Sequence, residues 1–152
     1  MTDKALKEAL LQHCVATVEG RMAKVKQVIQ DIEESLFEES KNTAGDKHET
    51  GRAMLQIDRE NAGRQLQEIE SLQQLIKKID VHNTSEYVRL GSLVYTSKAT
   101  YFISISIGQV TVGKTQYFCV ALQSPIGQAL AGKKKGDEVI FNGSEIVLKS
   151  VV

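Results

Sequence analysis

With 152 residues, the chain has the length of one ordinary domain or two small ones. Its 19 Lys+Arg equal its 19 Asp+Glu, so no net field pulls it toward nucleic acid or anionic lipid; any affinity for a polyanion must come from a local patch. A hydrophobic share of 41% beside 25% charged residues excludes wholesale disorder, and no apolar run approaches the roughly 18–20 residues of a membrane span. Cys14 and Cys119 stand far apart with no partner at metal-ligand spacing, which points to neither a disulfide scaffold nor a zinc site. A soluble, cytoplasmic protein with no membrane contact is the expectation.

The chain changes character near residue 80. From Thr2 to Asp80 there is no proline, there are four glycines, and Gln, Glu, Lys and Leu dominate. Leu11, Val15, Val18, Met22, Val25, Ile29, Ile32 and Leu36 follow one another by alternating fours and threes, the 3.5-residue period of a coiled-coil seam. The helix-breaking cluster Asn42-Thr43-Ala44-Gly45-Asp46 interrupts it. A second, less regular seam then runs through Leu55, Ala62, Leu66, Ile69, Leu72, Ile76 and Ile79. The two seams mirror each other about a point between Gly45 and Asp46: Leu36 with Leu55, Ile29 with Ala62, Val25 with Leu66, Met22 with Ile69, Val15 with Ile76. That symmetry predicts an antiparallel helical hairpin over residues 1–80, with an arm of roughly 50 Å at the helical rise. One layer fits poorly, because Ile32 faces Asp58 or Arg59.

Asp80-Val81-His82-Asn83-Thr84-Ser85 is short and polar and marks the joint to a second domain, residues 81–152. There β-branched and aromatic residues alternate between turn signals. Strands are predicted over Glu86–Tyr95, Thr100–Ile107, Gln116–Ala121, Glu138–Phe141 and Glu145–Val151, with Asn142-Gly143 as a tight hairpin turn. One short helix interrupts them: Ser124 caps it, Pro125 suits its first position, and Gly132 lies where it would end. The fold class is α+β, an antiparallel coiled-coil hairpin followed by a small antiparallel sheet with one short helix.

The hairpin tip reads Thr43-Ala44-Gly45-Asp46-Lys47-His48-Glu49-Thr50-Gly51-Arg52. Asp46 and Glu49 are three apart at the start of the second helix, which puts both carboxylates on one face. One account is an Asp variant of the capping box, with negative charge suited to the helix dipole. Another is a metal-holding pair. Magnesium takes one or two protein carboxylates and completes its octahedron with water and phosphate oxygens, so these acids suit a second metal at a site already holding a metal and a phosphodiester. The two accounts are compatible, since a cap can order the carboxylates it uses.

At these residues the chain resembles the Gre family of bacterial transcript-cleavage factors. The longer anchor is Ser124-Pro125-Ile126-Gly127-Gln128-Ala129-Leu130-Ala131-Gly132-Lys133-Lys134-Lys135-Gly136-Asp137-Glu138-Val139, similar to the signature of the Gre C-terminal domain. Gly91-Ser92-Leu93-Val94 resembles that domain's first strand, and Gly45-Asp46-Lys47-His48-Glu49 resembles the family's acidic hairpin tip. The resemblance implies an FKBP-like C-terminal domain that docks at the rim of the RNA polymerase secondary channel. It also implies a hairpin that enters the channel and brings Asp46 and Glu49, close to nascent RNA, to help coordinate the second catalytic magnesium. The polymerase, not this chain, is then the enzyme. Beyond Glu49 the sequence departs from the family: Thr50-Gly51-Arg52-Ala53 stands where an Asn, an Ala, an acid and an aromatic are usual, so Arg52 reverses a charge beside the acidic pair.

That departure leaves two polymerase readings, stimulation of RNA cleavage and occupation of the channel without cleavage. A structural or chaperone-like coiled-coil protein is the reading from another class; a charged, polar tip argues against it. Partner contacts are assigned to Ser124, Pro125, Ile126, Gly127, Lys47 and Arg52, and the protein is expected to be monomeric with no cofactor bound on its own. Ser124 has no His–Asp constellation, so it is a cap and not a nucleophile. Cys14 and Cys119 are taken as small packing residues, His13 and His82 show no ligand spacing, and Lys133-Lys134-Lys135 is a solvated loop.

Overall fold

The computed structural model describes the backbone of residues 1–41 and 46–152, and the side chains of 1–41 and 50–152. The reversal expected at Gly45-Asp46 therefore falls at the edge of the described residues. Two long helices, α1 (Asp3–Ser40) and α2 (Asp46–Lys77), precede six strands and a short helix. Compactness groups Met1–Thr17 with Gln74–Val152 in one unit and leaves Val18–Gln73 as another. Composition thus changes at residue 80, whereas packing recruits the first turns of α1 and the last turn of α2 to the strand-bearing unit.

In the helical unit, the buried row on α1 is Val18, Met22, Val25 and Ile32; Ala62 and Ile69 are its buried counterparts on α2. Ile29, Leu36, Leu55, Leu66 and Leu72 are half-buried, as expected where only two helices share a seam. Two cross-helix contacts match the predicted mirror to within a residue. Arg59 Nε donates to Glu33 Oε1 at 3.2 Å, and a Cβ added to Gly51 would lie 3.5 Å from Glu39 Oε1. The helices are therefore an antiparallel hairpin. The layer that fitted poorly is resolved by Arg59, half-buried, which sends its guanidinium sideways to Glu33 and so leaves Ile32 buried.

The first turns of α1 use a different row. Thr2 caps the helix, its Oγ1 accepting from the Ala5 N–H at 3.1 Å. Leu6, Leu10 and Cys14 are buried, while Leu11 and Val15, expected on the seam, are only half-buried. Steps of four slant around a helix, so a row of fours runs from Leu6 to Val18 before the alternation of fours and threes takes over. These turns meet a sheet instead of a second helix. Cys14 Sγ donates to Ser104 Oγ at 3.5 Å, and the Tyr95 hydroxyl donates to Asp3 Oδ1 at 2.8 Å.

The strands are β1 (Leu93–Thr96), β2 (Thr100–Ser104), β3 (Gly108–Val112), β4 (Thr115–Ala121), β5 (Glu138–Phe141) and β6 (Ser144–Val151). The short helix α3 (Pro125–Leu130) lies between β4 and β5. The sheet order is β3-β4-β2-β1-β6-β5, and every pairing is antiparallel except β2 with β4. That parallel pair departs from the all-antiparallel expectation because the chain leaves β2, forms the edge strand β3, and returns as β4 into the slot between them. Register puts Leu93, Phe102 and Cys119 on one face and Val94, Tyr101 and Phe118 on the other. The first face receives α1. The second carries a core of Val94, Ile103, Val139, Ile146 and Leu148, closed by Leu130 of α3.

Two strand expectations differ from what forms. Glu86–Tyr95 is mostly not strand, since Gly91 at φ +92° breaks it; an added Cβ there would come within 3.0 Å of the Asp80 carbonyl. Edge strand β3 was not anticipated: bracketed by Gly108 and Gly113, it buries only Val110 and so carries almost no alternation to detect. Asn142 and Gly143 both take positive φ, as a type I′ turn demands, and that hairpin matches expectation. The polar joint after α2 is itself folded: Val81 is buried, and Asp80 accepts from the His82 N–H and from Asn83 Nδ2.

Among the described residues, Lys7, next to Leu6 of the buried row, is the one charged residue that is buried. Burial holds its amine below the ordinary 10.5, and the Arg89 charge adds to that, against Asp80 and Asp3. A folded value below the unfolded one means that the unfolded chain binds the proton more tightly. The charged amine therefore opposes folding at neutral pH, and the opposition fades as pH rises toward 10.5. Lys7→Met is expected to raise the urea midpoint at neutral pH, with the gap to wild type narrowing on the alkaline side. A gap that stays constant up to pH 10.5 would contradict this account.

Candidate functional site: the hairpin end and the α3 turn

Asp46 and Glu49 fall at the start of α2, which begins at Asp46, so positions 46 and 49 both belong to its first turn. Their side chains, with those of Lys47 and His48, lie outside the described residues. Arg52, on the next turn, is exposed. Among the described residues, no three His, Cys, Asp or Glu side chains converge as metal ligands. Two carboxylates in one helical turn are a donor set that suits magnesium only when substrate oxygens and water supply the rest.

The described residues around this end add features that the sequence reading passed over. The last turns of α1 carry Asp31, Glu33, Glu34, Glu38 and Glu39. They form an open, shallow acidic surface along α1 that also includes Phe37. Gln27 donates to Asp31 and Gln30 to Glu34, both one helical turn apart. Phe37 is 60% exposed, with the Lys41 ammonium 4.3 Å from its ring centroid, a cation–π contact at the end of α1. Ser40 Oγ donates to the Phe37 carbonyl at 2.7 Å and helps close the helix. On α2, Met54 and Ile57 are 62% and 57% exposed. The end of the hairpin is therefore not purely charged and polar. The signal was present in the sequence: Phe37, Met54 and Ile57 are large apolar residues off the 3.5-residue seam, and the count of apolar seam positions left them out.

The second group of predicted residues, Ser124 to Gly127, builds α3. Ser124 Oγ accepts from the Gly127 N–H at 3.2 Å and donates to the Ala121 carbonyl at 2.6 Å, tying the helix start to the end of β4. Pro125 occupies the first turn, where its missing N–H leaves nothing unpaired. Gly127 is buried, and a Cβ there would stand 2.0 Å from the Ala121 carbonyl oxygen and 2.8 Å from that of Leu122. No side chain fits. Ile126 is half-buried against the sheet core, and Gly132 takes φ +74° just past the helix. Lys134 N–H donates to Asp137 Oδ2 at 2.9 Å, so the lysine-bearing loop is held by the acid that follows it. The structure accounts for Ser124, Pro125 and Gly127 as the parts of a tight strand-to-helix turn.

These contacts fix expected costs. Ser124→Ala removes a cap and should destabilise by about 1 kcal/mol. Gly127→Ala drives a methyl into two backbone carbonyls and should cost about 2–3 kcal/mol, the upper part of the range for overpacking. Urea unfolding followed by circular dichroism measures both. A Gly127→Ala protein as stable as wild type would mean that the turn relaxes freely.

No family model matches the chain, and no curated protein matches it. Solved structures that it is similar to include one of the transcription factor Gfh1, at 13% identity and a TM-score of 0.34, with 93% of this chain and 92% of that chain covered. Another is GreA factor homolog 1 (Gfh1) of Thermus thermophilus, at 18% identity and a TM-score of 0.34, with 96% and 94% covered.

Proposed function

We propose that the chain is a Gre-like transcription factor that binds RNA polymerase at its secondary channel and, through Asp46 and Glu49, stimulates cleavage of backtracked RNA. The observation that carries this reading is the start of α2 at Asp46, which puts both acids in the first turn of the second hairpin helix. The resemblance of Ser124–Val139 to the Gre C-terminal signature supports it, as does the order of hairpin and then sheet. In this reading the chain is not itself an enzyme. Magnesium, when present in the polymerase, supplies Lewis-acid activation of water and phosphate. Asp46 and Glu49 add carboxylate oxygens to that site, and the sheet-bearing domain holds the factor at the channel rim.

A second reading, occupation of the channel without cleavage, is favoured by Arg52. Its exposed guanidinium sits one turn beyond the acids, where it competes for them or for RNA phosphate. A grip on unfolded chains is a third, and it would use the exposed Phe37, Met54 and Ile57.

A halted elongation complex separates the three. Release of short 3′ RNA fragments on adding the protein, reduced at least about 100-fold in Asp46→Ala and Glu49→Ala while binding persists, is the expected outcome for groups acting directly at a reacting centre. Binding without RNA shortening assigns the chain to the second reading. Absence of binding, with suppressed aggregation of a denatured client that is lost in Phe37→Ala, assigns it to the third.

A further inference from the structure

The two cysteines, remote in sequence, meet in the strand-bearing unit. Cys14 lies in the buried row of α1 and Cys119 in β4, paired in register with Phe102 on the face that receives α1. Both are free thiols, and both are fully buried. Cys14 Sγ donates to Ser104 Oγ at 3.5 Å, and Ser104 and Cys119 lie on the same face of the neighbouring strands β2 and β4, two register positions apart. The two thiols and the Ser104 hydroxyl thus share a small polar patch inside an otherwise apolar layer. Ser104 is anchored in turn by donating to the Phe102 carbonyl at 3.3 Å. Packing alone would not need two thiols in one buried patch; a pair of small apolar side chains fills the same space.

We propose that Cys14 and Cys119 are a thiol–disulfide couple: exposed to a peroxide, they join as an intrachain disulfide that ties the first turns of α1 to β4. Cys14 is the attacking group. Its hydrogen bond with Cys119, and those with Ser104 and the Ile105 N–H, bring it down to about 7 against the opposing effect of burial. Its partner moves the other way, because its hydrogen bond with Cys14 and its burial both hold the proton on Cys119, and a second thiolate beside the first adds to that.

In the first step the Cys14 sulfur attacks one peroxide oxygen. An S–O bond forms, the O–O bond breaks, and the departing hydroxide takes up a proton to leave as water, which gives a sulfenic acid on Cys14. In the second, the Cys119 sulfur attacks that sulfur, the S–S bond forms, the S–O bond breaks, and the hydroxide leaves as water with the Cys119 proton. The peroxide is reduced to two waters and the two thiols are oxidised to one disulfide. Both sulfurs are fully buried, so the oxidant reaches them through opening of the packing between α1 and the sheet. The couple depends only on contacts within this unit and stands apart from the polymerase reading.

The test uses the purified full chain treated with hydrogen peroxide or with a dithiol reductant. The expected product is monomeric, is lighter by two hydrogens, has no titratable thiol after denaturation without reductant, and yields one Cys14–Cys119 linked peptide. Its urea midpoint exceeds that of the reduced form, because the cross-link closes a long loop in the unfolded chain. Cys119→Ser should stop at oxygen addition on Cys14. Oxygen adducts on separate cysteines of the wild-type chain, disulfide-linked dimers, or thiols that resist peroxide in the native chain yet react in urea would each overturn the proposal and leave the sulfurs as packing.

Discussion

A sheet with two apolar faces needs cover on both, and in this chain one of those covers is borrowed from the hairpin's first helix. Leu93, Phe102 and Cys119 share a face, and Leu6, Leu10 and Cys14 are buried in the same unit, joined to that face through Ser104 and Tyr95. Their burial supplies the hydrophobic term that one short helix, α3, provides on the opposite side. The same packing brings two cysteines far apart in sequence into one buried layer.

The α3 turn shows a different kind of constraint. Ser124, Pro125 and Gly127 are required at three successive kinds of position, a cap, a first-turn imino acid and a residue with no side chain. The motif by which the chain resembles the Gre family is thus a motif that the backbone demands. It closes a strand onto a helix.

Legibility followed physical signal strength. The seam through Val18, Met22, Val25 and Ile32 was readable because a two-helix hairpin has one narrow stripe to bury and repeats it. Leu11 and Val15 are half-buried like much of the seam, and full burial passes to Leu10 and Cys14 there because a sheet, not a helix, covers that end of α1. Asn142-Gly143 and Ser124-Pro125 were plain, since turn chemistry is local. Strand β3 was silent: an edge strand exposes one face to solvent and pairs on one side, so Gln109 and Thr111 carry no pattern. For the site, the acids at positions 46 and 49 were legible as a pair at a helix start, whereas the exposed Phe37, Met54 and Ile57 were invisible to a search for seam residues.

The sheet order has a consequence for how the protein is made. Strand β6 pairs with both β1 and β5, so residues 144–151 form an inner strand. On the ribosome, Leu6, Leu10 and Cys14 emerge long before that strand, and the surface they will occupy does not yet exist. Until β1, β2 and β4 have followed, the nascent chain carries an uncovered greasy stripe, and the sheet that covers it stays open at its centre until β6 inserts.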